Sequence, residues 1–134
     1  MPYHISWYIE QRVILIQING RIELDEFEKL HNESFDYVMQ SQFKVHAIAD
    51  LSQFEAIPTN LRMLSSATSQ EKNHNQGMTV LVMPKMPGVI RFIASMVMQT
   101  LRLEYRMCET VDEAFNILQR IDTDLTSRTS TYAP

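Results

Sequence analysis

The chain of 134 residues contains a single cysteine and only three glycines. One cysteine, Cys108, cannot form an internal disulfide framework or a zinc ribbon, and a chain of this length can bury enough apolar surface to fold without either. No apolar run approaches the roughly 20 residues that a membrane-spanning helix requires. The N-terminal residues, MPYHISWYIE, lack the basic stretch and apolar segment of a secretory signal. We therefore predict a cytoplasmic protein without a membrane span.

Basic charge and metal-ligand motifs are also scarce. The net charge of −4 argues against a nucleic-acid partner, because phosphates require a basic surface. The four histidines fall on separate predicted elements: His4, His31, His46 and His74. Since a metal site needs three or four converging ligands, we predict no metal and no cofactor. No nucleophile lies near a predicted base, so the sequence predicts a protein that is not an enzyme.

Apolar strands alternate with amphipathic helices along the rest of the chain. The predicted strands are residues 5–9, 12–18, 45–49, 78–83 and 104–108, and the predicted helices begin near Asp25, Asn60, Val89 and Thr110. This order, ββαβαβαβα, predicts an α/β fold with a mixed five-stranded sheet and four helices. We place the domain at residues 1–122 and a flexible tail at residues 123–134, where the periodicity is lost.

Two turn signals set the predicted strand ends. Asn19-Gly20 has turn chemistry, and we expect it to close the second strand. The segment DLS at residues 50–52 follows an apolar run, and we expect it to form a loop beyond the third strand. Ligands of α/β folds usually bind at the carboxyl ends of the parallel strands. This loop is therefore the first candidate for a functional region.

Capping signals mark the starts of two helices. Asp25 is followed three residues later by Glu28, and Thr110 by Glu113, which is the spacing of a capping box. The apolar residues that we expect to face inward from the last helix are Phe115, Ile117, Leu118 and Ile121.

Three segments resemble the STAS domain, the fold of bacterial anti-anti-sigma factors. AIADLSQFEAIPTNLRML is similar to the family's strand, D-L-S loop and D-S-S-G-L helix start. VLVMPKMPGVIRFIASMVMQTLRLEYRMCET resembles its fourth strand, third helix and fifth strand, and TVDEAFNIL resembles its closing T-x-E-E-A helix. The resemblance implies a divergent STAS-like fold. It also implies a non-catalytic regulatory module that binds a protein partner, either a regulatory kinase or an anti-sigma-like factor.

The chain departs from the D-S-S-G signature of the family. Pro58, Thr59, Asn60 and Leu61 occupy these positions, so Thr59 falls where the family's phosphorylated serine stands. The resemblance thus implies a phosphorylation switch at Thr59. The alternative is that Thr59 and Asn60 only cap a helix, as hydroxyl and amide side chains commonly do at this position. The sequence leaves both interpretations open.

The predicted helix at residues 89–101 has more apolar surface than packing against a sheet would bury. A single narrow polar stripe is formed by Arg91, Ser95, Gln99 and Arg102. A helix on a sheet needs only about a third of its circumference apolar, so the surplus packs on neighbouring elements or binds another molecule. That molecule could be a protein partner, a second copy in a homodimer, or an apolar small molecule, since STAS domains loosely resemble the lipid-binding SEC14 fold. The predicted partner-binding residues are Ser52, Thr59, Asn60, Arg62, Phe92, Met96 and Met98.

Overall fold

The structure, a computed structural model, describes residues 2–56 and 75–125 of the chain. In chain order its elements are β1 (Tyr3–Ile9), β2 (Val13–Arg21), α1 (Leu24–Gln40), β3 (Val45–Ala56), β4 (Gln76–Val82), α2 (Gly88–Thr100), β5 (Tyr105–Cys108), α3 (Val111–Ile121) and a 3-10 turn (Thr123–Leu125). The predicted α/β order is confirmed for these residues, which contain three of the four predicted helices. The helix predicted at residues 60–69 lies outside them.

The five strands form one mixed sheet in the order β1-β2-β3-β4-β5. β1 is antiparallel to β2, and the pairs β2–β3, β3–β4 and β4–β5 are parallel. The apolar run of β2 lies near the middle of this sheet and is covered on both faces, as a nearly continuous apolar strand should be. Its buried residues are Val13, Ile14, Leu15, Ile16 and Ile18. The predicted mixed sheet is therefore confirmed.

Helices cover the two faces of the sheet unequally. One face carries both α1 and α2, whose Phe27, Leu30, Ala94 and Val97 share a core with Ile14, Ile16 and Leu81 of the sheet. The other face carries α3, whose Ala114 and Leu118 pack with Val13, Leu15, Ile48 and Val80. α1 contacts β1 at one side of the sheet. α2 lies beside β5 at the other side, where Tyr105 and Met107 pack against the core that contains Ala94 and Val97.

The second strand continues past its predicted turn. Asn19-Gly20 does not close β2, which runs on to Arg21. Gly20 adopts φ 72°, a conformation that glycine accommodates readily, and it stays paired with Phe54 of β3. The strand end is therefore set by the length of its partner strand.

The third strand is also longer than predicted. β3 extends to Ala56, so the DLS segment at residues 50–52 is strand and not loop. Its register continues against β2 through Asn19↔Gln53. Within the segment, the backbone N–H of Ser52 donates to the Asp50 carboxylate at 3.0 Å. The carboxyl edge of the sheet consequently lies several residues later in the chain than the sequence indicates.

The capping predictions gave one correct and one incorrect result. The Thr110 hydroxyl accepts a hydrogen bond from the backbone N–H of Glu113 at 3.1 Å, as expected. The cap of α1 is Glu23 and not Asp25, and the Glu23 N–H donates to the Glu26 carboxylate at 2.9 Å. The spacing of Asp25 and Glu28 also fits a capping box but in the wrong register, because several acidic residues crowd the first two turns of this helix.

The C-terminal end of the described chain is held against the domain. Of the residues expected to face inward from α3, Leu118 is fully buried but Ile121 is 43% exposed, so that prediction was wrong for Ile121. The tail was expected to begin at Thr123. Instead Thr123–Leu125 forms a 3-10 turn whose Leu125 is fully buried against the α3 core. Residues 126–134 lie outside the described residues.

Candidate functional site

The predicted partner-binding residues fall into two groups. Thr59, Asn60 and Arg62 lie outside the described residues. Ser52 is exposed near the end of β3, and the other three, Phe92, Met96 and Met98, lie on α2. The described part of the predicted surface is therefore mostly a surface of α2.

The apolar residues of α2 divide between solvent and core. Val89 and Phe92 are 65% and 66% exposed, and they lie three positions apart on the helix. Residues with this spacing lie on one side of a helix. Met96 is half-buried, whereas Met98 packs against the core that α1 and α2 share. The surplus apolar surface predicted for this helix is thus real at Val89 and Phe92 but does not include Met98.

The polar stripe of α2 has a structural partner that the sequence did not reveal. Ser95 and Gln99 lie beside the Tyr105 hydroxyl on β5, where their polar groups lower the pKa of Tyr105. This proximity places the helix beside the edge strand. It also leaves Val89 and Phe92 on the solvent side.

An apolar cavity of about 600 Å³ lies between the sheet and the helices α1 and α2. Phe27, Leu81 and Val97 are among its lining residues, together with the polar side chains of His31 and Thr79. Burial lowers the pKa of His31. Pockets that hold a drug-sized ligand measure roughly 300–1,000 Å³ and are mostly apolar with a few polar groups. The size and lining of this cavity fit an apolar small molecule.

A buried polar cluster lies near the amino end of β3, on the far edge of the sheet from the start of α2. Arg12, only 4% exposed, donates to the Asp122 carboxylate at 2.8 Å and also binds Asp124. His46, 2% exposed, bonds the same Asp122 oxygen through Nε2 at 3.0 Å. The cluster joins the β1–β2 turn, the start of β3 and the end of α3. Sequence analysis missed it, because its members come from distant parts of the chain.

The histidine in this cluster resembles half of a catalytic dyad but has no free nitrogen. Its Nδ1 accepts a hydrogen bond from the backbone N–H of Met78 at 2.9 Å. The ring proton therefore lies on Nε2 and points at Asp122. A general base must offer a free nitrogen to a substrate proton, and both ring nitrogens of His46 are already bonded within the fold. We assign the cluster a structural role.

The pKa values within the cluster follow from burial and charge. Burial lowers the pKa of His46, and the charges of Arg12 and Lys44 lower it further. Together these effects outweigh the hydrogen bond to Asp122 and the charge of Asp122, which both raise it. Burial alone would raise the pKa of Asp122, but the His46 hydrogen bond and the Arg12 charge hold it below its usual range.

The lowered pKa of His46 predicts an acid-sensitive fold. The unfolded chain carries a histidine with a pKa near 6.5, so it binds a proton at a pH where the folded state does not. We expect the free energy of unfolding to fall as the pH is lowered through 6.5 towards the pKa of the folded state, because stability rises with pH wherever the unfolded state holds more protons. Urea unfolding between pH 5.5 and 7.5 (about one unit either side of a histidine pKa) measures this.

The matched control for this pH dependence is the half-buried His31, whose pKa burial also lowers. His46→Gln should flatten the pH profile more than His31→Gln, because His46 is more deeply buried and its Nδ1 accepts a backbone hydrogen bond that only the unprotonated nitrogen can accept. An unchanged slope in His46→Gln would contradict the assignment.

Across 2–56 and 75–125, no helix is long and apolar enough to cross a membrane. In the same residues, no group of three or more histidine, cysteine, aspartate or glutamate side chains could hold a metal ion.

Comparison with known proteins finds similarity at the level of structure only. No family model and no curated protein matches the chain. A solved structure from Shewanella loihica PV-4, an uncharacterised protein with a SpoIIAA-like fold, matches with a TM-score of 0.60 at 9% identity, over 87% of this chain and 93% of that one.

Two structures of SpoIIAA itself match as well. The unphosphorylated form of this anti-sigma factor antagonist has a TM-score of 0.56 at 12% identity, over 87% of this chain and 97% of that one. The phosphorylated form, described as a Bacillus cell fate determinant, has a TM-score of 0.54 at 8% identity, over 87% and 98%. The chain therefore has the divergent STAS-like, SpoIIAA-like fold that its three resembling segments predicted.

Proposed function

We propose that this protein is a non-catalytic regulatory module of the anti-sigma factor antagonist type, acting in the cytoplasm by binding a protein partner. The observation that carries the proposal is the pair of exposed apolar side chains, Val89 and Phe92, on α2 of a SpoIIAA-like fold. Large side chains that stay exposed side by side on a soluble domain are typical of interaction surfaces. The expected partner is a regulatory kinase or an anti-sigma-like factor.

The partner surface that we propose extends from α2 towards the carboxyl edge of the sheet. α2 begins shortly after the carboxyl end of β4, at Gly88, and β3 ends at Ala56 on the same edge, because the two strands are parallel. The exposed Ser52 lies close to that edge. Thr59, Asn60 and Arg62 follow β3 in the chain, so we propose that they complete the surface.

A phosphorylation switch at Thr59 is the finer part of this proposal. A phosphate would add about two negative charges next to the surface that contacts the partner. Added charge of this kind creates or abolishes a protein contact, depending on the charges it meets. The SpoIIAA neighbours were solved in both phosphorylated and unphosphorylated forms, which makes the same control a reasonable expectation for this fold.

Affinity capture from the native organism tests the proposal. We expect the wild-type chain to retain a kinase or an anti-sigma-like protein, and Phe92→Ser to retain at least about tenfold less, since buried aromatic anchors dominate interface energies. Ile121→Ser is the matched control: Ile121 is also exposed, but it lies on α3, on the other face of the sheet. Phosphosite mapping of the recovered chain tests Thr59.

Capture that depends equally on Phe92 and Ile121 would contradict the proposed surface. Recovery of Thr59 without phosphate under all growth conditions, with normal partner binding, would remove the switch and leave the binding function. The two parts of the proposal can therefore fail separately.

A second candidate function, a carrier or sensor of an apolar small molecule, is favoured by the cavity of about 600 Å³. The competing occupant is the chain itself, since residues 57–74 connect β3 to β4, two strands that contribute to the cavity wall, and lie outside the described residues. Native mass spectrometry separates the two. A co-purifying apolar molecule supports the carrier, and a ligand-free mass that no added fatty acid shifts excludes it.

A further inference from the structure

Among the described residues, the charge is unevenly divided between the two helices α1 and α2 on one face of the sheet. From Glu23 to Gln40, the α1 segment carries six acidic residues and one lysine. From Pro84 to Leu103, the α2 segment carries three basic residues and no acidic one. Both helices cover the same face, and the exposed Val89 and Phe92 lie on the basic one.

The charges also match in position along the strands. α1 follows β2 and α2 follows β4, and these strands run in the same direction, so both helices start at the carboxyl edge of the sheet. Near that edge α1 carries the exposed Glu28, and α2 carries the exposed Lys85 and the half-buried Arg91. Near the opposite edge, α1 carries the exposed Asp36, and the exposed Arg102 follows α2.

We propose that this face binds a second copy of the chain in a two-fold symmetric dimer, with α1 of each copy against α2 of the other. α1 and α2 lie at opposite sides of the sheet, against β1 and β5 respectively. A two-fold axis parallel to the strands then places the acidic α1 of each copy opposite the basic α2 of the other copy. The N-terminal ends of the two facing helices lie side by side. The contact is self-complementary, as a two-fold interface must be.

The alternative face-to-face arrangement is disfavoured by the same charges. An axis perpendicular to the strands would place α1 against α1 and α2 against α2. Like charges facing each other across an interface cost several kcal/mol, and the α1 segment has six acidic residues to bring together. Charge therefore selects both the occupant and its orientation, while Val89 and Phe92 supply the apolar contact.

Dimer formation and partner binding would use the same α2 surface. The dimer goes beyond the regulatory function proposed above, but it places a constraint on it, because Phe92 cannot contact a second copy and a different protein at once. A partner would then bind the monomer and shift the equilibrium away from the dimer.

Sedimentation of the purified full chain tests this dimer. We expect the wild-type protein to dimerise more tightly at low salt than at high salt, since screening weakens exposed charge pairs. Two reversed variants should each dissociate at least about tenfold more readily, because their helices then face like charges. One carries Lys85→Glu and Arg91→Glu, which leaves its α2 segment with two acidic residues and one basic residue. The other carries Asp25→Lys, Glu28→Lys and Asp36→Lys, which leaves its α1 segment with three acidic and four basic residues.

A mixture of the two reversed variants is the decisive sample. One variant has two acidic helices and the other has two basic helices, so an equimolar mixture should recover a heterodimer although each variant alone is monomeric. The reversals near the start of α2 and the end of α1 suit the helix dipoles, whereas the lysines near the start of α1 oppose its dipole. Circular dichroism therefore checks that both variants are folded. Ile121→Ser, on the other face, should dimerise as the wild type does.

Three results would overturn the proposal. A wild-type chain that remains monomeric at low salt excludes the dimer, and partner capture would then be unaffected by this failure. Reversed variants that dimerise as tightly as the wild type exclude the charged contact. A mixture that stays monomeric excludes the pairing of α1 with α2.

Discussion

Replacing Asp122 by alanine is expected to lower the free energy of unfolding by about 3 kcal/mol, the lower end of the usual cost of breaking a buried ion pair, because Arg12 keeps only the exposed Asp124 as a partner. Arg12 is almost completely buried and has two carboxylate partners, of which Asp122 at 2.8 Å is the less exposed. The same substitution removes the acceptor of the His46 Nε2 proton. A loss of this size is a large fraction of the roughly 5–15 kcal/mol that stabilises a typical domain.

Urea unfolding measures this effect as a lower midpoint at an unchanged slope. The matched control is Asp124→Ala, which removes the other carboxylate bound to Arg12. The Asp124 side chain is 63% exposed, and exposed ion pairs contribute only about 0–1 kcal/mol. Asp124→Ala should therefore cost far less than Asp122→Ala.

A double variant distinguishes the cost of leaving the Arg12 charge poorly paired from the cost of losing the other contacts of Asp122. Replacing Arg12 by methionine in the Asp122→Ala background removes the buried charge, and exchanging a buried ion pair for apolar residues is often nearly neutral. We expect the double variant to be more stable than Asp122→Ala alone. Equal or lower stability would show that packing at the end of α3, and not the poorly paired guanidinium of Arg12, determines the loss.

The sequence predicted the elements whose signals are local. The apolar run of β2 indicates a strand covered on both faces, and the structure has it there. Thr110 and Glu113 form their cap because every atom involved lies within four residues. The alternation of strands and helices then limits the possible folds, since parallel neighbours require crossover connections.

Strand ends were predicted less well, because pairing and not local composition sets them. Asn19-Gly20 is turn chemistry in isolation, yet both residues pair with β3. The DLS segment is polar enough for a loop, but it extends a strand whose neighbour continues beside it. In each case the hydrogen bonds to a neighbouring strand outweigh the local preference for a turn.

In the candidate site, too, the local pattern was predictable and the contacts between distant residues were not. A helical wheel identifies the polar stripe of α2, but an almost uniformly apolar helix does not reveal which side meets the sheet. The structure settles that orientation, because Ser95 and Gln99 lie beside Tyr105 of β5 while Met98 packs against the core. The buried cluster was not predictable, since Arg12 and Asp122 lie 110 residues apart in the sequence.

Replacing Gly77 by alanine is expected to destabilise the fold by about 1–3 kcal/mol, the usual range for overpacking a well-packed interior. A Cβ atom at this position would lie 2.3 Å from His46 Nδ1 and 3.0 Å from the Val45 carbonyl oxygen. The imidazole cannot easily move aside, because Met78 and Asp122 hold its two nitrogens. Gly77 is thus required by the close approach of β4 to the histidine ring.

The Gly88→Ala variant is the matched control, since a Cβ atom there has no neighbour within 4 Å. It should be neutral or slightly stabilising, because alanine restricts the unfolded chain and favours the helix. Adding His46→Ala to Gly77→Ala should make the glycine substitution nearly harmless, since the ring that clashes is gone. If Gly77→Ala lowers the stability as much without the His46 ring as with it, the strain arises at the Val45 backbone. The close approach of the His46 ring would then not be the reason for a glycine at this position.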